Sequence, residues 1–440
     1  MIDERQNLAV APTPFAPSRL LKDVGFGFLT AFELSEKEFK KWQAKTRRSN
    51  KVVVWADEKR LEDGGLADFA IAEAFLTSKQ LFLRGGRAIP SYPPVRAFLG
   101  TKQIIVNMAA EELPFKFNFI ISHFAKQGLL TVFSYTSLPA IPIDFLIYLK
   151  ESKWHGTADQ THGWSWIGDK GERVTATSYS GLLSRMLSSL RLNPLHDGNY
   201  PIFDFIELSD VGPGTGEGPN LEQRLTVQEH WGLLCGDEGY RLLCPSEKMY
   251  ETYIVNPENR QRGREVFLYN FSTTSCLAFV ATNRAERRRA WQIYYRDHVA
   301  YSKRLDDYLT FSPQVPGLTD GIPLVVEVCM LRYVELTRID RELEKEGRSF
   351  ITSLLLARLG GLTAIERAVT LMQNLDLYQE SSLWISGGVY ANQLFGYSMI
   401  RNRIDRRLEH VRFASSDVRL FYLSLLSLLA AVAAVTVTLL

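Results

Sequence analysis

Cysteine is scarce in this chain: four thiols, Cys235, Cys244, Cys276 and Cys329, in 440 residues. They form no close CxxC pair, and their spacing fits neither a zinc ribbon nor a disulfide framework. Buried thiols in a reducing compartment are the expectation. A surplus of charge is lacking too. Lys and Arg total 51 against 49 Asp and Glu, a formal +2. Overall electrostatics therefore offers no argument for a nucleic-acid binder. The opening residues, MIDERQNLAVAPTPFAPSRLL, contain no basic n-region and no apolar h-region, so no cleaved signal peptide is expected. The sequon at Asn270-Phe271-Ser272 carries no weight without secretion. Also missing are GxxxxGKS/T, HExxH, GxSxG and an EF-hand loop, the compact signatures of several phosphate, zinc, acyl-transfer and calcium sites.

What is present is apolar material. Hydrophobic residues make up 46% and charged residues 23%, enough for a sizeable core in two or three domains. That composition excludes a disordered tail, a collagen-like chain and a polytopic transporter. Leu420 to Leu440, LFYLSLLSLLAAVAAVTVTLL, runs 21 residues without a charge, glycine or proline. As a helix it would be about 31 Å long, matching the hydrocarbon thickness of a bilayer. Arg401, Arg403, Arg406, Arg407, Arg412 and Arg419 precede it and nothing charged follows. The positive-inside rule then keeps the preceding chain cytoplasmic, and the topology expected is a tail anchor. Ser427, Ala430, Ala431 and Ala434 supply small side chains for close helix approach. A homo-oligomer is among the partners expected.

Five segments are expected. Residues 1–19 read as a flexible segment and 20–155 as an α+β domain. Its strands are expected at Lys51–Trp55, Gln80–Leu83, Gln103–Val106 and Leu129–Ser134, with a short helix at Gly65–Ser78. Residues 156–283 read as loop-rich. Around the start of this segment the aromatics Trp154, Trp164 and Trp166 read as core, and His155 and His162 alone make a poor metal site. Residues 284–419 form helices, with apolar stripes at Trp291–Tyr308, Val325–Leu343 and Ile400–Val411. Residues 420–440 complete the chain as the span. The fold class expected is therefore an α+β N-terminal region followed by a mainly α-helical C-terminal half ending in a single transmembrane helix.

Charge is segregated between neighbouring segments. From Asp204 to Glu251 ten acids face three basic residues; from Glu258 to Arg304 ten basic residues face four acids. In the second block ERRRAWQIYYRDH interleaves aromatics with Arg287, Arg288 and Arg289. These three, with Arg401, Arg403, Arg406 and Arg407, are the candidates for binding anions or anionic lipid headgroups. His230, Trp231, Asp237 and Glu238 share one stretch that carries acid–base groups, with no nucleophile or metal partner beside them.

The most specific local signal is Ile202–Asn220, IFDFIELSDVGPGTGEGPN. A β-run ends in Asp210 and is followed by Gly212, Gly214 and Gly216, whose missing side chains let backbone approach a cofactor closely. This stretch resembles the first motif of S-adenosylmethionine-dependent methyltransferases. The resemblance implies a doubly wound fold, S-adenosylmethionine as cofactor, and those four residues as its cradle. It covers some 45 residues, and the next strand places Cys244 before Pro245, where that family puts an acid. The layout of the whole chain, an α+β head with helices leading to a terminal span, resembles the outline of CorA-type magnesium channels. That likeness lacks their Gly-Met-Asn motif and second span. The leading functional expectation is neither: a cytosol-facing, C-terminally membrane-anchored protein acting in interaction, sensing or scaffolding, without a cofactor, and touching the bilayer through Leu420–Leu440.

Overall fold

The computed structural model describes residues 18–49, 54–55, 95–108, 111–125, 128–152, 163–168, 171–192, 202–209, 225–236, 238–242, 246, 248, 260–262, 267–272 and 275–280, and in the C-terminal part 327, 330–331, 333–334, 336–341, 399–407, 409, 423–424 and 426–430. The chain divides into two units, Met1–Met330 and Leu331–Leu440.

The first unit is organised by four long strands. Strand β1 (Leu20–Glu33) is followed by helix α1 (Glu36–Ser49), the short β2 (Val54–Trp55), β3 (Val95–Met108), β4 (Glu111–Phe124) and β5 (Leu129–Pro142). Each of the four long strands is 14 residues. After β5 come α2 (Ile143–Glu151), β6 (Gly163–Ile167), β7 (Arg173–Ala176), α3 (Tyr179–Ser189), β8 (Phe203–Ser209) and α4 (Val227–Cys235). Strands β9 (Arg260–Arg262), β10 (Phe267–Ser272) and β11 (Ser275–Val280) close the set. Together they form one sheet in the order β7-β6-β3-β4-β5-β1-β8-β11-β10-β9, with β2 beside β3. Every described pairing is antiparallel except β8 with β11. Such a ladder is built from neighbouring hairpins, whereas the one parallel pair requires a crossover, and α4 lies within it.

Strand periodicity assigns the two faces. In β1, Val24, Phe26, Phe28 and Phe32 are fully buried on one face. There Phe28 stacks on Tyr179 of α3, with ring centres 4.3 Å apart. The opposite face of β1 carries Gly25, Gly27, Leu29 and Ala31. A Cβ on Gly27 would lie 2.6 Å from the Ser134 carbonyl oxygen, so only glycine admits β5 at this distance. Strand β3 changes parity part-way. Ala97 before the register shift between Phe98 and Thr101, Leu99 within it, and Ile104 and Val106 after it all belong to the core. Gly100, at φ +85°, supplies the left-handed residue of this bulge.

The helix face is covered chiefly by α2 and α3. Helix α2 starts directly on Pro142, and its residues Ile143 and Phe145–Lys150 are all buried. A short helix apolar on nearly all sides belongs in an interior. Each fully buried side chain of the Leu146 or Ile147 kind contributes about 1.5–3 kcal/mol. Helix α3 begins at Ser178, whose hydroxyl accepts from the Gly181 amide, and buries Tyr179, Leu182, Leu183, Met186 and Leu187. Trp164 of β6 completes this aromatic layer edge-on to Tyr179. The Ser134 and Tyr179 hydroxyls are 2.5 Å apart, and burial pushes the Tyr179 phenol well above its ordinary pKa. In the second unit the described residues are helical, and Val334, Leu336, Ile339, Ile400 and Ile404 are buried.

Two expectations are corrected. The first is the fold class. The N-terminal part is a mostly antiparallel sheet that gathers strands as far along the chain as Val280. It does so because β6 pairs with β3, and β8 with β1 and β11, across long stretches of sequence, a relation that local periodicity does not display. The second is the transmembrane helix. Among the described residues no helix is long and apolar enough to cross a membrane. Within 420–440 the described residues are 423–424 and 426–430, all helical and exposed. This finding overturns the tail-anchored topology and the membrane localisation by a single C-terminal span. Mean hydropathy reports how apolar a stretch is, and an apolar stretch can be covered by protein as well as by lipid.

Candidate functional site

Three groups of charged side chains stand out, two inside the first unit and one on its surface. The first is on the face of the sheet opposite α2 and α3. Arg96 of β3, Ser122 of β4 and Thr131 of β5 lie side by side in register across three strands. Glu327 meets this row from a helical residue: its Oε2 is 2.6 Å from Arg96 Nη2, and its Oε1 accepts from Arg96 Nη1 at 3.1 Å. Thr131 donates its hydroxyl to the same carboxylate, and Arg96 also donates to Ser122 Oγ. Arg96 and Glu327 are 2% and 0% exposed. This two-bonded fork is the geometry in which a guanidinium best matches a carboxylate.

The second cluster occupies the helix face. Lys150, at the end of α2, is 3.2 Å from Asp204 Oδ2 of β8, and the two side chains are 1% and 0% exposed. Lys150 also donates to Ser275 Oγ of β11 at 2.7 Å and to the Leu233 carbonyl of α4. Ser275 in turn donates to Asp204 Oδ2 at 2.7 Å. Four elements thus meet on one ammonium group. Lysine, serine and aspartate in mutual contact are a set also used in nucleophilic chemistry, but a nucleophile has to reach a substrate. Here Ser275, Lys150 and Asp204 are all buried. The cluster fastens the β8–β11 parallel pair to α2 and α4.

Helix α4 is fixed from its other end. Thr226 and Glu229 form a reciprocal capping box, and Glu229 also accepts from Arg19 Nε at 3.0 Å. Next to it Asp144 accepts from the Tyr240 hydroxyl at 2.6 Å and from Arg241 Nη2 at 2.5 Å. Burial, together with the bond to Asp144, pushes the Tyr240 phenol up to about 12. These contacts tie Glu229 and Asp144 to Arg19 and Arg241.

The third group lies on α1. Its inner face is anchored by Phe39 and Trp42, both buried. Trp42 Nε1 donates to the Leu190 carbonyl at 2.9 Å, tying α1 to the end of α3. Phe39 lies flat on His123 of β4, ring centres 4.1 Å apart and planes 11° from parallel. Burial holds His123 below the ordinary imidazole pKa, and its Nε2 is 3.1 Å from the Leu34 carbonyl. At the N-terminus, Ser35 accepts from the Glu38 amide and donates to the Glu38 carboxylate. The outer face carries Lys37, Lys41, Lys45 and Arg48, all exposed. Among the described residues, Lys40 and Glu36 are ion-paired on this helix at 2.6 Å, while those four cations enter no ion pair. Neither their charge nor their spacing was among the sequence-based candidates, although basic residues recurring every third or fourth position carry the signal.

The candidates named from sequence divide sharply. Asp210, Gly212, Gly214 and Gly216 lie outside the described residues, as do Arg287, Arg288, Arg289, His155 and His162. The strand leading to the glycines, β8, is described, and Asp204, one of its two acids, is held by Lys150. Trp164 and Trp166 are core residues of β6. His230 is buried in α4; Asp237 and the side chain of Glu238 lie outside the described residues. In the second unit Arg403 and Arg407 converge on Asp340, at 3.4 and 2.8 Å, whereas Arg401 and Arg406 are exposed on the same helical stretch. Among the described residues no three His, Cys, Asp or Glu side chains gather as metal ligands. Compared with family models, curated proteins and solved structures, the chain matches none.

Proposed function

We propose that this chain acts in interaction and scaffolding, and that it works as a homo-oligomer assembled through its C-terminal leucine-rich helix. One observation carries this reading. Leu423, Leu426, Leu428 and Leu429 are helical and 57–63% exposed. A helix with leucine on more than one side is one that other matter covers, and contiguous exposed apolar surface marks an association site. Ser427 and Ala430 are exposed beside the leucines, so a second copy can seat leucines against small side chains. The buried charges support the same reading. Both internal ion pairs are matched by protein groups and brace the unit as a rigid platform.

Light scattering coupled to size-exclusion chromatography tests it on the full chain in detergent-free buffer. Across a dilution series the expected mass is a multiple of 50.0 kDa. Leu426→Glu with Leu429→Glu, which alters exposed side chains only, is expected to give the single-chain mass with unchanged far-ultraviolet circular dichroism. A single-chain mass for the unaltered protein at every concentration overturns the reading. So does recovery of the protein only with detergent or lipid vesicles.

A further inference from the structure

We infer that the outer face of α1 is a docking strip for an acidic helical segment of a partner protein. The inference rests on the interaction reading above and names the chemistry of a partner. Lys37, Lys41, Lys45 and Arg48 are separated by four, four and three residues, which places them within about 80° of one another around the helix. They rise about 6, 6 and 4.5 Å in turn, a line about 16 Å long. All four are exposed, and among the described residues none is neutralised by an acid. A surface helix ordinarily offsets such a row with carboxylates three or four positions away. Here the carboxylates Glu36 and Glu38 sit at the first turn and are already engaged, by Lys40 and Ser35.

The helix is a fixed platform rather than a tethered arm. Phe39, Trp42, the Leu190 carbonyl and His123 hold its inner side against the sheet and α3. The four cations are therefore presented as a pre-arranged row, and a partner does not have to order their backbone on binding. Carboxylates at i, i+4, i+8 and i+11 on another helix reproduce the same rises, so the two rows match charge for charge.

Nucleic acid fits less well. A phosphate backbone continues past both ends of the row and meets Glu36 and Glu38 at the first turn. The helix's aromatic residues, Phe39 and Trp42, are buried and cannot stack on bases. An acidic helix is finite and can end, or carry neutral residues, where those two carboxylates lie.

Fluorescence anisotropy with the full chain tests the inference. The probe is a labelled alanine-based helical peptide with glutamates at i, i+4, i+8 and i+11. A peptide of identical composition with its glutamates spread around the helix, and a single-stranded RNA oligonucleotide, serve as comparisons. Expected is saturable binding of the patterned peptide, tighter than of the other two. It weakens steadily with salt as the Debye length shortens from about 10 Å at 0.1 M to about 3 Å at 1 M. Lys41→Glu with Lys45→Glu is expected to weaken it at least about tenfold. A peptide carrying lysine at the two facing positions should restore much of that loss. Both substitutions are on exposed positions, and an unchanged thermal melt verifies the fold.

Equal affinity for the scattered peptide, tighter binding of the RNA, no binding at low salt, or a reversed variant that binds as well as the parent would each overturn the inference. Light scattering on the same samples keeps the two readings separate. A single-chain mass with intact peptide binding refutes assembly alone, and an oligomer that ignores the peptide refutes the docking strip alone.

Discussion

Replacing Lys150 by methionine tests whether the α2–α4–β8–β11 junction is a fastening. Methionine keeps most of the stem volume but removes the ammonium. Asp204 is then left 0% exposed without the ammonium that balanced its charge, while the Ser275 hydroxyl still donates to it. The Leu233 carbonyl loses its donor at the same stroke. Breaking a buried pair in this way costs about 3–5 kcal/mol, because the surviving charge is stranded in the interior. Replacing both charges, Lys150→Met with Asp204→Leu, removes the stranded charge and is expected to return to within about 1 kcal/mol of the parent. Urea unfolding followed by tryptophan fluorescence reads the effect, since Trp164 and Trp166 are buried in the same unit. With a denaturant slope of about 3 kcal/mol per molar, the single variant's midpoint falls by roughly 1–1.7 M. A fall of less than about a third of that for the single variant would refute the reasoning, as would a double variant no more stable than the single one.

Three further outcomes follow from the packing. His123 is held neutral by burial, so its folded pKa lies below the unfolded value of about 6.5. Stability is then fully present above that value and declines as pH falls through it towards the folded pKa, because the unfolded chain takes up the proton first. In His123→Gln that decline should flatten, measured as the urea midpoint between neutral pH and pH 5. Gly27→Ala forces a Cβ to within 2.6 Å of the Ser134 carbonyl and 3.2 Å of the Tyr135 ring. It should cost about 1–3 kcal/mol in the same assay, the usual penalty of overpacking; a neutral result would show that β1 and β5 can separate locally. Thr226→Ala removes half of the α4 capping box. A loss of about 1 kcal/mol is expected, with faster amide exchange confined to the first turn of α4.

The parts of this fold that the sequence makes readable are those whose cause is local. Gln103–Val106 and Leu129–Ser134 read as strands and lie within β3 and β5, because alternation and β-branched residues act over a few positions. Strand β1 is harder. Gly25 and Gly27 lower its intrinsic strand preference, and the reason for Gly27 is visible only once β5 lies alongside. The buried pairs are harder still: Lys150 and Asp204, or Arg96 and Glu327, are distant in the chain, and nothing in either neighbourhood names its partner. The cationic row on α1 is the opposite case. Its spacing is local and legible, but its meaning depends on Phe39 and Trp42 facing inward. The C-terminal apolar stretch shows the limit of composition, which reports affinity for apolar surroundings without saying what provides them.

The Arg96–Glu327 pair also sets an order of events during synthesis. Its partners are 231 residues apart in the chain. At about 5–20 residues per second, the ribosome delivers Glu327 on the order of 10–50 s after Arg96. Throughout that interval the two-bonded fork to Glu327 is missing, so the guanidinium keeps water around it on its sheet face while β3, β4 and β5 are already available to pair. The N-terminal unit is thus assembled as a sheet first and sealed last, by a residue almost at its own C-terminal boundary. Nascent chains stalled just before that residue should present an open sheet face to chaperones, and chains released just after it should not.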